Sequence, residues 1–207
     1  MKTILRASII CLLFAGSALA LTGERMSQIP LDKMTPAQRS VADAIMSGPR
    51  KGMNGPFNAW LRSPELADRL QKVGEYVRFK TSIPPRLNEL AILVTARAWT
   101  AQYEWYAHYQ YAVKAGLPPA VADDIAAGKR PSKMESDEAI VYDFTRELID
   151  TKQVSDANFN AMKDKFGERG VVDLVGLVGY YHIVSMLLNV DRYPLPDGAK
   201  PPLPVLN

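Results

Sequence analysis

Cysteine is almost absent from this chain: Cys11 is the single one among 207 residues. It lies inside an N-terminal segment that we predict to be removed. The mature protein then has no thiol, which excludes disulfides, a cysteine nucleophile and cysteine metal ligands.

Long uncharged apolar runs are also lacking. Lys2 and Arg6 flank the start of the apolar run Ala7 to Phe14, and Ala18-Leu19-Ala20 has the A-x-A form of a signal cleavage site. This run is shorter than the roughly 20 residues of a membrane span, and no later stretch combines enough length with freedom from charge. We expect residues 1–20 to be a signal peptide cleaved after Ala20, and a periplasmic or secreted protein without a membrane span.

The mature chain shows no excess of one charge. Removing Lys2 and Arg6 from the 25 basic residues leaves 23 against 22 acidic ones, a net charge of about +1. A clustered basic face is therefore not indicated, and nucleic-acid binding is not expected. No glycine-rich phosphate loop, Gly-x-Ser-x-Gly motif or Cys/His metal spacing occurs either.

Alternation typical of β-strands is absent, and the apolar residues recur at helical spacing. Thr35-Pro36, Ser63-Pro64, Pro118-Pro119 and Ser155-Asp156 are helix starts, whereas Gly116, Gly128 and Gly167 are helix ends. The pattern predicts an all-α fold of about seven helices in one domain, residues 35–190. An arm, 21–34, precedes it, and the glycine- and proline-rich stretch 47–58 is expected to be an ordered loop. A proline-rich tail, 191–207, is either disordered or a strap onto a neighbouring subunit.

Reactive side chains concentrate in residues 97–108. On a continuous helix, Arg97, Ala101, Glu104 and His108 would share one stripe, because their spacings are four, three and four. A cation, a carboxylate and an imidazole would then meet on one surface. The simpler interpretation is an i,i+4 charge pair on a solvated face, or a pair between Arg97 and Glu104.

Several short matches together resemble the carboxymuconolactone decarboxylase family, whose fold is shared with the alkylhydroperoxidase D-like proteins. The resemblance covers about residues 35 to 195, and the matching segments are Gly55-Pro56-Phe57-Asn58, Ser63-Pro64-Glu65-Leu66, Pro85-Arg86-Leu87-Asn88-Glu89-Leu90-Ala91-Ile92-Leu93, Tyr103-Glu104-Trp105 with His108, Ala115-Gly116-Leu117, and Gly179-Tyr180-Tyr181 with Leu188-Asn189. It implies an alkylhydroperoxidase D-like helical domain that forms trimers or hexamers, with the site near a subunit contact.

The hydroperoxidase branch of the resembled family has two cysteines three apart, a histidine four after the second and a glutamate twelve before the first. Aligned by that spacing, the glutamate corresponds to Glu89 and the histidine to His108, but the cysteines correspond to Ala101 and Glu104. Thiol-dependent peroxidase chemistry is therefore excluded, since a thiolate is its nucleophile.

The decarboxylase branch acts without a metal or organic cofactor on a small carboxylated lactone. The resemblance thus implies a carboxy-lyase or proton-transfer enzyme with His108 as the acid/base group, because its unperturbed pKa is about 6.5. Glu104 or Glu89 would orient His108. Arg97 would hold a substrate carboxylate through its planar fork, and Tyr103 and Asn58 are further substrate-binding candidates.

Alternatives remain for several of these residues. Glu89 can be a buried structural carboxylate, Tyr103 a wall residue, and His182 a core histidine. The set Glu89, Glu104, His108 and His182 would instead suit a metal-dependent enzyme. A third alternative is a non-catalytic binder of a small molecule.

If Glu89 and His108 belong to one site, the chain between them cannot be a single straight helix. On one straight helix they would lie about 28 Å apart, because the rise is about 1.5 Å per residue. The chain must then break between them, and we expect the break at Thr100-Ala101-Gln102.

Overall fold

The computed structural model describes residues 24–205, so the predicted signal peptide and its cleavage site lie outside the described residues. Helices account for 67% of the structure, and no strand occurs in the described part, which confirms the all-α prediction. In the described part of the chain, a 3-10 turn, Leu31–Lys33, precedes eight α-helices. They are α1 (Pro36–Ser47), α2 (Phe57–Trp60), α3 (Pro64–Phe79), α4 (Pro85–Ala98), α5 (Gln102–Lys114), α6 (Pro119–Ala126), α7 (Ser136–Thr151) and α8 (Asp156–Asp191).

Local capping explains several of these boundaries. Thr35 and Gln38 form a reciprocal capping box at the start of α1, and Ser155 accepts a hydrogen bond from the backbone N–H of Asn158 at the start of α8. Ser63 behaves differently from the expectation, because its side chain makes no cap hydrogen bond. Pro64 at the first helical position is the remaining start signal there.

The sequence pattern missed the single-turn helix α2. It begins inside the stretch 47–58 that was predicted as a loop and extends two residues beyond it, and all four of its residues are buried. Tertiary packing rather than helical periodicity holds this turn, since isolated helices this short are unstable.

Helix α4 forms the centre of the core. Residues 87–97 are buried without interruption, and the helix packs against α5, α7 and α8. A helix that is buried on all sides belongs to the interior of a domain. Any side chain that α4 contributes to a site therefore works in an environment shielded from water.

The predicted break between α4 and α5 is confirmed. It falls at Trp99-Thr100-Ala101, one residue earlier than expected. Thr100 has φ +48°, an unusual conformation for a β-branched residue, and its N–H donates to the carbonyl of Arg97 at 3.0 Å. The N–H of Ala101 donates to the carbonyl of Ala96 at 2.9 Å. This tight turn lets α5 fold back along α4.

Helix α8 contains the boundary predicted at Gly167. That residue has φ +70° and ψ 173°, so two helical segments meet there at a kink. The segment after Gly167 supplies Leu174, Leu177 and Tyr181 to the core.

By length and composition alone, α8 is apolar enough to cross a membrane, although half of the qualifying window is buried inside the protein. The expectation of a protein without a membrane span stays a prediction. A core helix of a soluble protein passes the same test, so the span itself does not follow.

Both terminal segments contact their own chain. The backbone of the arm donates from Arg25 and Met26 to Asp191, at 2.8 and 2.7 Å. In the tail, Leu203 is buried, and its N–H and C=O both bond the side chain of Gln102 at 2.9 Å. The tail is therefore ordered here as a strap across the break between α4 and α5.

Candidate active site

Three side chains from two helices form a buried chain of hydrogen bonds. His108 Nδ1 lies 2.6 Å from Glu89 Oε2, and His108 Nε2 lies 3.1 Å from Glu104 Oε1. Glu104 and His108 are one turn apart on α5, whereas Glu89 reaches the ring from α4. Both ring nitrogens are thus held, which fixes the orientation of the imidazole.

The environment of this cluster favours a charged imidazole. All three side chains are buried, between 3% and 7% exposed. Burial by itself lowers the pKa of His108, but the adjacent carboxylates of Glu89 and Glu104 outweigh it, and the net pKa is raised. Protonated His108 then lies between two carboxylates as a bridging cation.

A cavity of about 160 Å³ adjoins the cluster, and His108 and Glu104 line it. It is smaller than the roughly 300–1,000 Å³ of pockets that take drug-sized ligands. The glycine-rich loop before α2 forms one wall, through Gly52, Asn54 and Gly55. We call it the His108 cavity.

Two arginines supply positive charge to the His108 cavity. Arg78, near the end of α3, places Nε 3.8 Å from Glu89 Oε1 and stacks over the ring of Tyr111 at 4.5 Å. Arg50 lies over the rings of Phe57 and Phe79, and within residues 24–205 its Nη2 is buried without a hydrogen-bond partner. Both guanidinium groups retain donors for an anionic ligand.

Aromatic residues of α8 close the inner side of the His108 cavity. The ring of Tyr181 lies 5.0 Å from that of His108, and its buried hydroxyl has no protein partner among the described residues. Burial raises the pKa of Tyr181 well above its ordinary value and that of Tyr180 to about 12. Both phenols therefore stay neutral at physiological pH and can donate a hydrogen bond.

Gly74 on α3 is what allows this arrangement. A Cβ at that position would lie 2.1 Å from the hydroxyl of Tyr180 and 2.6 Å from Nη2 of Arg50. Any larger side chain would therefore push both groups away from α3. The packing of Tyr180 and Arg50 against α3 therefore requires glycine at residue 74.

Four of the six predicted site residues lie at or beside the His108 cavity. Glu89, Glu104 and His108 form the hydrogen-bonded cluster, and Tyr103 lines the wall next to Gly55. Burial raises the pKa of Tyr103, and its ring packs 4.4 Å from that of Tyr193. A wall residue, rather than an acid, is the role this environment supports.

Arg97 is separated from the cluster. It belongs to α4, and the chain reverses before Glu104, so the proposed stripe does not exist as one helical surface. Its Nη1 donates to the carbonyl of Pro204 at 2.9 Å, and it does not line the His108 cavity. This position does not support the expectation that Arg97 binds a substrate carboxylate beside His108.

Asn58 is likewise turned away from the His108 cavity. Its side chain accepts from the N–H of Ile29 at 2.9 Å and donates to the carbonyl of Ser27 at 3.2 Å. It anchors the N-terminal arm to α2. The contact is structural, and Asn58 does not line the cavity.

The four residues of the metal-site alternative do not converge on one point. His182 accepts a hydrogen bond from Trp99 Nε1 at 2.5 Å, away from the cluster, and burial lowers its pKa. His108 has no free nitrogen, because a carboxylate meets each one. Within residues 24–205, no group of three or more His, Cys, Asp or Glu side chains is arranged to hold a metal ion.

Sequence reasoning missed Arg50, Arg78 and the two tyrosines of α8. Arg50 lies in the stretch 47–58 that was expected to be an ordered loop, and Tyr180-Tyr181 belongs to a segment that carries the resemblance. Arg78 carried no signal, because a basic residue in the last turn of an amphipathic helix is ordinary.

Comparison with known proteins adds no identification: no protein-family model matches the chain, and no curated protein matches it. The geometry of the His108 cavity therefore carries the functional argument.

Proposed function

We propose that this protein is a cofactor-free lyase or proton-transfer enzyme of the carboxymuconolactone decarboxylase type. Its substrate is a small anionic lactone or organic acid. The observation that carries the proposal is the juxtaposition of a buried, doubly held imidazole with two arginines around one small cavity.

The charges around the cavity favour an anionic substrate. With His108 protonated, three cations (Arg50, Arg78 and His108) face two carboxylates, Glu89 and Glu104. The surplus charge is positive and lies in a region shielded from water, where electrostatic attraction is stronger than in solvent. A substrate carboxylate would balance this surplus positive charge.

Arg50 and Arg78 take the role first expected of Arg97. A guanidinium binds a carboxylate through parallel N–H donors, and Arg50 keeps a buried one unpaired. The aromatic rings stacked against both side chains hold them in place, so little side-chain entropy is lost on binding.

The cluster supplies the proton that decarboxylation requires. As the carbon–carbon bond breaks, carbon dioxide leaves, and the electron pair remaining on carbon takes up one proton. His108 and Glu104 both line the cavity, so the proton shared between Nε2 and Glu104 is the one within reach of that carbon. Glu89 acts from the opposite nitrogen by holding the ring in position.

The decisive experiment is an assay of the purified protein with carboxymuconolactone and related lactone acids, following loss of substrate and release of carbon dioxide. His108→Gln should lower kcat at least 100-fold, which is the usual scale of general acid–base catalysis. The matched control is His182→Gln, which removes the other histidine, and it should retain turnover. Equal rates in wild type and His108→Gln would refute the proposed mechanism.

We also propose export of the mature chain and assembly into a homo-oligomer. Both follow from the N-terminal pattern and from the family resemblance. Size-exclusion chromatography with light scattering, and mass spectrometry of the mature N-terminus, test them separately. A monomer, or an intact N-terminus after secretion, would contradict the respective proposal.

A further inference from the structure

A second cavity is lined in part by α4, and none of the residues lining it lines the His108 cavity. Its volume is about 410 Å³. Residues of α4, α6 and α7 form its walls, and the C-terminal strap borders it through Val205. We call it the Arg97 cavity.

Arg97 brings a buried charge to this cavity without a matching anion among the described residues. The residue is 3% exposed, and within residues 24–205 its guanidinium donates one hydrogen bond, from Nη1 to the carbonyl of Pro204. Its Nε and Nη2 are buried and have no partner in the part of the chain that the structure describes. A buried cation is costly unless an anion or an acceptor meets it.

The two unpaired nitrogens are those that bind oxyanions. Nε–H and one N–H of Nη2 point in the same direction on one edge of the guanidinium, and they match the two oxygens of a carboxylate. Since Nη1 is engaged with Pro204, this edge is presented with a fixed orientation. The strap thus holds Arg97 in position but does not neutralise its charge.

The neighbouring charges leave an anion as the best occupant. Within residues 24–205, Asp150 is the one carboxylate that lines the Arg97 cavity, and both its oxygens bond Nη2 of Arg146 at 2.7 Å. Lys129 adds a further positive charge to the wall. Counting these groups with Arg97, the described lining residues carry a surplus of two positive charges.

Apolar side chains form much of the remaining wall. Val94, Ile125 and Ile149 are buried and line the cavity, whereas Val205 at the strap is 84% exposed and marks its open side. An inorganic anion would leave this apolar surface unused. A short hydrocarbon attached to a carboxylate would cover it.

We propose that the Arg97 cavity is a second binding site, for a small monocarboxylate with an apolar body. The carboxylate meets Nε and Nη2 of Arg97, and the hydrocarbon lies against α4, α6 and α7. This site is independent of the chemistry at His108.

Calorimetric titration of the full chain tests this site with three probes. Hexanoate combines both features, 1-hexanol keeps the chain without the charge, and inorganic phosphate keeps the charge without the chain. We expect hexanoate to bind at least tenfold more tightly than either of the others. Equal affinity for hexanol would remove the role of Arg97, and equal affinity for phosphate would remove the role of the apolar wall.

Variants distinguish the two cavities. Arg97→Gln should weaken hexanoate binding in the Arg97 cavity at least tenfold, and Arg39→Gln, the same substitution at a surface arginine that pairs with Asp43, should leave it unchanged. Loss of binding with Arg78→Gln alone would place the carboxylate beside His108 and overturn the proposal.

A measurement on the unaltered protein covers the case in which Arg97→Gln fails to fold. The Nε–H signal of Arg97 in the ¹H–¹⁵N spectrum should shift on addition of hexanoate and not on addition of hexanol. A purely structural arginine at the C-terminus of α4 would show no such shift, and that result would also overturn the proposal.

Discussion

His108 and Glu89 are nineteen residues apart in the chain, yet Nδ1 of the histidine lies 2.6 Å from Oε2 of the glutamate. The reversal at Trp99-Thr100-Ala101 makes this contact, because it lays α5 back along α4. The contact between His108 and Glu89 therefore depends on both helices and on the turn between them.

The pKa values of the two histidines of the chain should shift in opposite directions from the unperturbed value of about 6.5. The carboxylates of Glu89 and Glu104 raise the pKa of His108 against the effect of burial, whereas burial and Lys152 lower that of His182. The imidazole Cε1–H signals in NMR report both, and the His182→Gln variant assigns them. Two coincident titrations near the unperturbed value would contradict the electrostatics described for the cluster.

Stability should fall with rising pH because of the same contact. A group whose pKa is higher in the folded than in the unfolded state stabilises the fold fully below its unfolded pKa, here about 6.5. The contribution disappears as the pH rises through the raised folded pKa of His108. Urea unfolding of wild type and His108→Gln across this range should show a difference that shrinks toward alkaline pH. A difference that is constant or growing would mean that His108 is neutral in the folded protein.

Arg78→Gln should weaken substrate binding more than it slows the chemical step. The substitution removes a charge that faces the His108 cavity and leaves both contacts of His108 in place. Loss of one charge-assisted contact is worth about 1.5–3 kcal/mol, which corresponds to roughly a 10- to 150-fold rise in KM. Steady-state kinetics on an active substrate check it. A large fall in kcat with unchanged KM would instead give Arg78 a role in the transition state.

Gly74→Ala should destabilise the protein and disturb the site. The added methyl would overlap Tyr180, whose ring is packed 6.0 Å from Trp60 and 5.2 Å from Tyr181. Overpacking of this kind costs about 1–3 kcal/mol, more than alanine gains within a helix. The free energy of unfolding in urea measures the change.

Gly179→Ala is the matched control for Gly74→Ala. It is also a helical glycine, on α8, but no atom outside its local helix lies within 4 Å of an added Cβ. It should stabilise by about 0.5–1 kcal/mol, because alanine is the better helix former. Equal effects of the two substitutions would show that Gly74 does not make room for Tyr180 and Arg50.

Thr100→Asn should stabilise the turn between α4 and α5. Thr100 has φ +48°, and a non-glycine residue in this region costs about 1–3 kcal/mol. Asparagine tolerates this conformation better than a β-branched residue does. We expect a gain of about 1 kcal/mol in chemical denaturation with unchanged contacts at His108. A loss of stability would mean that the threonine side chain is needed in the turn.

The sequence by itself determined the elements that depend on neighbouring residues. Proline and cap residues set where α1, α3 and α8 begin, and glycine set the kink at Gly167, because these effects act within one turn of helix. The i,i+4 spacing of Glu104 and His108 likewise ensured their contact once α5 formed. The family resemblance, rather than periodicity, linked Glu89 to His108.

Only the tertiary structure decided which cations face the His108 cavity. Arg97 precedes Glu104 at a helical spacing, but the turn at Thr100 carries it to another cavity, whereas Arg50 and Arg78 arrive from a loop and from α3. Helical periodicity relates residues along one helix and says nothing about how that helix is rotated against the next. That rotation follows from contacts such as Tyr180 and Arg50 against the bare backbone of Gly74, which arise only when the helices pack.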